Sequence, residues 1–229
     1  MIFIAILPVW SIDGIMDWFR VVDNYCERID AGYWSEPVNA LTNGAFLVAA
    51  VVAWRIAARR GDRGGRLLAA LVFAIGVGSY LFHTHAQVWS MLADVLPIQA
   101  FILVYLYLAT VRFFALPWWG GILAVAAFIP YSILVARGLG ALVGDLNGSI
   151  GYLPVPILIA GYAVLLRRRA PATARGMALG AAMLAVSLVF RSIDTAVCPG
   201  FPLGTHFLWH VLNAVMLGWM IAVLIRHGR

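Results

Sequence analysis

Residues 205–225 read THFLWHVLNAVMLGWMIAVLI. The stretch contains no Asp, Glu, Lys or Arg. At 1.5 Å of rise per residue, a helix of about 20 residues matches the roughly 30 Å hydrocarbon core of a bilayer. Its two histidines, His206 and His210, stand at i and i+4, so a helix carries both on one face. A segment that is apolar enough to cross a membrane, yet opens with two imidazoles, sets the terms for the rest of the chain.

Working outward, six more segments have the same character. They run over about 39–56, 67–85, 91–113, 117–136, 150–166 and 177–197, with 205–225 as the seventh. Of the 229 residues, 63% are hydrophobic and 11% are charged, against roughly 25% charged in a soluble domain. The expected fold class is therefore all-α: a polytopic membrane protein forming a seven-transmembrane helix bundle. No linker or shift in composition divides residues 1–229, which read as one membrane domain, with 1–36 as an extracytoplasmic N-terminal segment. No convincing internal repeat appears, which disfavours an inverted-repeat transporter. Met1 to Trp10 is apolar, but it is short, lacks a basic n-region and is interrupted by Pro8. It reads as an interfacial or poorly ordered segment rather than a signal peptide, with Met16 as an alternative start.

The net charge of +6 does not point to nucleic acid, because the basic residues form no single patch. They are all arginines, set in short clusters between apolar runs. Arg55, Arg59, Arg60, Arg63, Arg66, Arg112, Arg167, Arg168, Arg169, Arg175, Arg226 and Arg229 fall on one side of a seven-span layout. Arg20, Arg28, Arg137 and Arg191 fall on the other. By the positive-inside rule, this bias places the N-terminus outside and the C-terminus in the cytoplasm, in a plasma (inner) membrane. It also favours an odd number of spans.

On that layout the unusual polar residues converge. His83 ends the second span, with Ser79 at i−4 on the same face. Asp94 lies near the outer start of the third span, and His206 and His210 begin the seventh. Each has a plainer reading: a lone His bonded to a neighbour, Asp94 as a helix-start charge, Ser79 as a small packing residue after Gly76 and Gly78. Jointly they are harder to dismiss, because a carboxylate inside a membrane is costly and tends to have a partner or a function.

Three neutral imidazoles with one open position are a catalytic zinc arrangement. The metal would bring the pKa of a bound water toward about 7. Asp94 would take the proton, and Ser79 would donate to a developing oxyanion. The chemistry implied is hydrolysis of a carbonyl derivative, and the outer-leaflet position implies a lipid substrate. His85, two residues from His83, faces away on a helix and reads as a supporting or loop residue. His227 is in the cytoplasmic tail. Asp194, near the end of the sixth span, either orients a ligand His as an outer carboxylate or pairs with Arg191 at i−3.

Three blocks together resemble the alkaline ceramidases: Gly78-Ser79-Tyr80-Leu81-Phe82-His83 with Asp94-Val95-Leu96-Pro97; Tyr25-Cys26-Glu27 with Glu36-Pro37-Val38-Asn39-Ala40-Leu41-Thr42-Asn43; and Asp194 and Cys198 ahead of His206-Phe207-Leu208-Trp209-His210. The resemblance implies seven spans, zinc on His83, His206 and His210, and amide hydrolysis assisted by Ser79 and Asp94. It also implies a calcium site in the N-terminal segment. Glu27 and Glu36 match the family's acidic positions, and Asp23, Asp30 and the Tyr25 carbonyl are further candidate ligands. The segment departs from the family by being about two residues shorter between the two glutamates and by having Asn24 in place of an aspartate. Cys26 and Cys198 both lie on the oxidising side of the layout, and topology and resemblance alike point to a disulfide between them.

The function expected is zinc-dependent cleavage of ceramide or a related N-acyl lipid into a fatty acid and an amine. The partners are the lipid substrate and the bilayer; no protein partner is implied. The rival reading is a seven-span receptor of the progestin/adiponectin type with a structural zinc, which would need neither Ser79 nor Asp94. Bis-His haem ligation is a poorer alternative, since two histidines on one helix face cannot approach a haem from opposite sides.

Overall fold

The computed structural model describes residues 17–227; the expectations for Met1 to Trp10 and for Met16 lie outside them. The helices are α1 (Pro37–Thr42), α2 (Gly44–Arg59), α3 (Arg63–His85), α4 (Val88–Phe113), α5 (Trp118–Val143), α6 (Pro154–Leu166), α7 (Pro171–Val197) and α8 (His206–Arg226). A 3-10 turn, Ser149–Tyr152, leads into α6. α1 and α2 together make the first span, Pro37–Arg59, and the turn with α6 makes the fifth, Ser149–Leu166. Among the described residues, seven segments are long and apolar enough to cross a membrane, and the protein is an integral, multi-pass all-α membrane protein.

Helix is the form these segments take because a lipid-facing backbone must satisfy its own N–H and C=O groups. The sequence marks where each helix starts and stops. Pro37, Pro154 and Pro171 stand in the first turns of α1, α6 and α7, where a missing N–H costs nothing. Asp62 caps α3 by accepting from Gly65 N at 2.7 Å. α5 runs seven residues beyond the expected 136. Arg137 does not stop it, because a long arginine stem reaches polar surroundings from within a helix. The helix ends only at Gly144, whose φ of +79° leaves the helical region.

α3 and α8 are the most buried spans. Each packs on α2, α3 also against α4, and α8 also against α7. Leu68, Val72 and Ile75 of α3 share one apolar core with Met220, Ile221 and Leu224 of α8. The central pair is thus the pair that carries the three histidines. All three stand at one end of the bundle, with the start of α4, the end of α7 and the N-terminal segment. At the opposite end, Arg112 makes a two-pronged ion pair with Asp62 (2.6 and 2.9 Å), and His227 packs beside Phe113.

Candidate metal centre

His83 comes from the last turn of α3, and His206 and His210 from the first turns of α8. All three are buried, and one ring nitrogen from each lies within 4.8 Å of the others. Among the described residues this is the only convergence of three or more His, Cys, Asp or Glu donors.

Contacts from residues 25–42 decide which nitrogens are free. His83 Nδ1 lies 2.6 Å from Glu36 Oε2. A carboxylate oxygen only accepts, so Nδ1 carries the proton and Nε2 keeps its lone pair. Thr42 Oγ1 donates its single proton to Val38 O at 2.7 Å. The same oxygen therefore accepts from His210 Nδ1 at 3.0 Å, and His210 too is left with a free Nε2. The Tyr25 ring stacks on His206 at 3.7 Å. His83 Nε2, His210 Nε2 and His206 Nδ1 are buried without a hydrogen-bond partner. Unpaired buried imidazole nitrogens are costly, and a metal ion would relieve that cost. The nitrogen donors and their burial fit a divalent ion such as zinc.

Ser79 and Asp94 meet because α3 and α4 touch backbone to backbone. A Cβ on Gly78 would lie 2.0 Å from Ala93 O and 3.1 Å from Asp94 N. Only glycine permits that approach, and it sets Ser79 beside Asp94, within electrostatic reach of His83. His85 points away and packs against Tyr33 and Trp89.

Asp194 behaves differently from both sequence expectations. It bonds neither a histidine ring nor Arg191. Oδ1 accepts from Thr205 N (2.7 Å) and His206 N (2.9 Å), and Oδ2 accepts from Cys26 N (2.9 Å). It therefore caps α8 and joins that helix to the N-terminal segment, placing His206 through its backbone. The reason lies in the 199–204 turn, which brings the open N-terminus of α8 against the end of α7. Arg191 instead donates to Asn147 O (2.6 Å) and Ser149 Oγ (3.0 Å) and lies over the Tyr152 and Trp209 rings. The Cys26–Cys198 disulfide is formed, fixing the N-terminal segment next to Asp194.

Among the described residues, the side chains expected to bind calcium do not bring three donors to one point. Glu27 accepts from Val38 N (2.7 Å) and Asn39 N (2.8 Å), capping α1. Burial pushes its carboxyl above the ordinary range, and these backbone bonds offset part of the rise. Glu36 holds His83, Asn39 and Arg28. Burial opposes its ionisation, but the His83 hydrogen bond and the Arg28 charge outweigh burial and hold it below the ordinary range. Asp23 and Asp30 are exposed, and Asp30 Oδ1 accepts from Gly32 N at 2.7 Å. Tyr25 contributes its ring, stacked on His206. Sequence alone gives Thr42 and Asn39 no role at the site, and Arg28 only a place in the arginine bias. Thr42 and Asn39 lie inside the quoted Glu36–Asn43 block, but only the fold shows what they touch.

Below the histidines, an apolar cavity opens between the helices. Phe46, Phe101, Tyr105, Tyr152 and Trp209 line it. Phe46 packs edge-on to His210, so the cavity adjoins the three-histidine cluster.

Fold and site define a polytopic α-helical membrane protein with a buried three-histidine centre at one end. A family model described as Ceramidase matches residues 23–227, and the chain belongs to that family. Membership implies hydrolase activity, and the spans fit a lipid substrate within the bilayer. A search of curated proteins found no match.

Proposed function

We propose that this chain is a zinc-dependent amidase that cleaves ceramide or a related N-acyl lipid into a fatty acid and a sphingoid base. The observation that carries the reading is the set of three buried, converging imidazoles with Ser79 and Asp94 beside it. His83, His206 and His210 would hold the zinc. Bound there, zinc lowers the pKa of water toward about 7 and polarises a carbonyl. Asp94 accepts the proton of the attacking water and returns it to the leaving amine as the C–N bond breaks and a C–O bond forms. Ser79 donates a hydrogen bond to the carbonyl oxygen as it gains charge; no other histidine stands beside it to make it a nucleophile. The apolar cavity receives an acyl chain. A receptor with a structural metal would require neither Asp94 nor Ser79, and their place beside the cluster favours the enzyme.

The test is zinc content measured beside turnover of a short-chain N-acyl lipid. Replacing any of the three histidines by alanine is expected to abolish both. Asp94→Asn is expected to keep zinc and lose about 10²–10⁴-fold in rate, and Ser79→Ala about 10²–10³-fold. Undiminished turnover in zinc-replete Asp94→Asn would remove Asp94 from the mechanism.

A further inference from the structure

The resemblance implies a calcium ion at Glu27 and Glu36, and the residues present do not fit one. Calcium takes six to eight oxygen ligands. Here both oxygens of Glu27 are turned to the backbone N–H groups of α1. Glu36 Oε2 is shared by His83 Nδ1 (2.6 Å) and Asn39 Nδ2 (3.1 Å). Glu36 Oε1 faces a cation already, because Arg28 Nε lies 2.5 Å away. The same guanidinium donates from Nη1 to Asp30 O (3.1 Å) and from Nη2 to His83 O (3.0 Å). One carboxylate and two carbonyls from three parts of the chain thus converge on Arg28, as oxygens converge on a metal.

We infer that Arg28 is a built-in cation standing where a calcium ion would otherwise tie the N-terminal segment to the catalytic centre, and that this protein needs no calcium. Both members of the pair are buried, with Arg28 8% and Glu36 2% exposed. Arg28 and Glu36 cancel each other's charge. A divalent ion added beside them would bury two further positive charges, and Glu27, the other buried carboxylate there, already turns both oxygens to the N–H groups of α1. The planar guanidinium suits the task, since its fixed fork reaches three acceptors that lysine's single ammonium could not serve together. Through Glu36 and the His83 carbonyl, Arg28 becomes a positioning residue for His83. That last consequence rests on the reading of His83 as a zinc ligand, whereas the exclusion of calcium stands without it.

The experiment uses the purified full chain in buffer freed of calcium by a chelating resin. Wild-type protein is expected to hold no stoichiometric calcium by elemental analysis and to melt at the same temperature with or without millimolar calcium. Calcium bound near one per chain, or a melting temperature that rises with calcium, would overturn the inference. Arg28→Lys keeps the charge and loses the fork. It is expected to melt lower and to weaken zinc retention against a chelator by about 10–100-fold, the usual cost of losing a group that supports a ligand. A wild-type melt and wild-type zinc retention in both Arg28→Lys and Arg28→Ala would refute the strapping role. If Arg28→Ala does not fold, the wild-type calcium measurements and Arg28→Lys still decide the matter. None of these readings depends on turnover, so an inactive protein would count against the amidase and leave the calcium result standing.

Discussion

Replacing Gly78 with alanine puts the juxtaposition of Ser79 and Asp94 to a quantitative test. The new Cβ would stand 2.0 Å from Ala93 O and 2.6 Å from Ala93 C. Cβ atoms essentially never come closer than 3.0 Å to such neighbours. Both obstacles are backbone, so no side-chain rotation relieves them, and α3 and α4 must part by at least about 1 Å. Forcing a methyl group into a packed contact costs about 1–3 kcal/mol. A displacement of about 1 Å at a catalytic group costs on the order of 10²-fold in rate. Ser79 follows Gly78 and Asp94 follows Ala93, so the damage falls between those two residues. His83 lies farther along α3 and is held by Glu36. Gly78→Ala is therefore expected to lower the melting temperature and cut turnover about 100-fold while zinc content stays full. Gly161→Ala on α6 is the control, since a Cβ there meets nothing within 4 Å. A Gly78→Ala protein that melts and turns over like wild type would refute the close approach. Zinc loss in step with turnover would move the damage to His83 and refute the assignment to Asp94.

Two further outcomes follow from the opposite end of the molecule. Hydrogen bonds from Arg112 hold the Asp62 carboxyl below the ordinary carboxylate range, so the unfolded chain binds more protons there than the folded one. The stability gained is complete above the unfolded value of about 3.9 and is lost as pH falls through the folded one. Asp62→Asn, which can still cap α3, should be less stable than wild type near neutrality, by under about 1 kcal/mol for this partly exposed pair. The deficit should fade in acid; a deficit unchanged down to that range would sink the argument. The proposed orientation, with the arginine-rich end in the cytoplasm, predicts that a C-terminal alkaline phosphatase fusion is inactive in a bacterial host, and periplasmic activity would reverse it.

Much of this molecule was legible along the chain because a bilayer simplifies the problem. Hydropathy and the demand that backbone groups be satisfied within each segment define the seven spans from sequence. Once the spans are set, alternation of direction brings His83, Asp94, His206 and His210 to one level without any knowledge of packing. The same logic put Cys26 and Cys198 on one side, where the disulfide forms. Only tertiary structure decided what each polar group holds. Glu36 turns to His83 and Arg28, Thr42 sets the tautomer of His210, and Asp194 caps α8 rather than meeting a histidine ring. None of these pairings has a period or a spacing, because each is set by how loops and helix ends meet in three dimensions. A hydrogen bond depends on ångströms and angles, whereas a span depends on a sum over about twenty residues. The sum survives reading one residue at a time, and the ångströms exist only once the segment has folded over the mouth of the bundle.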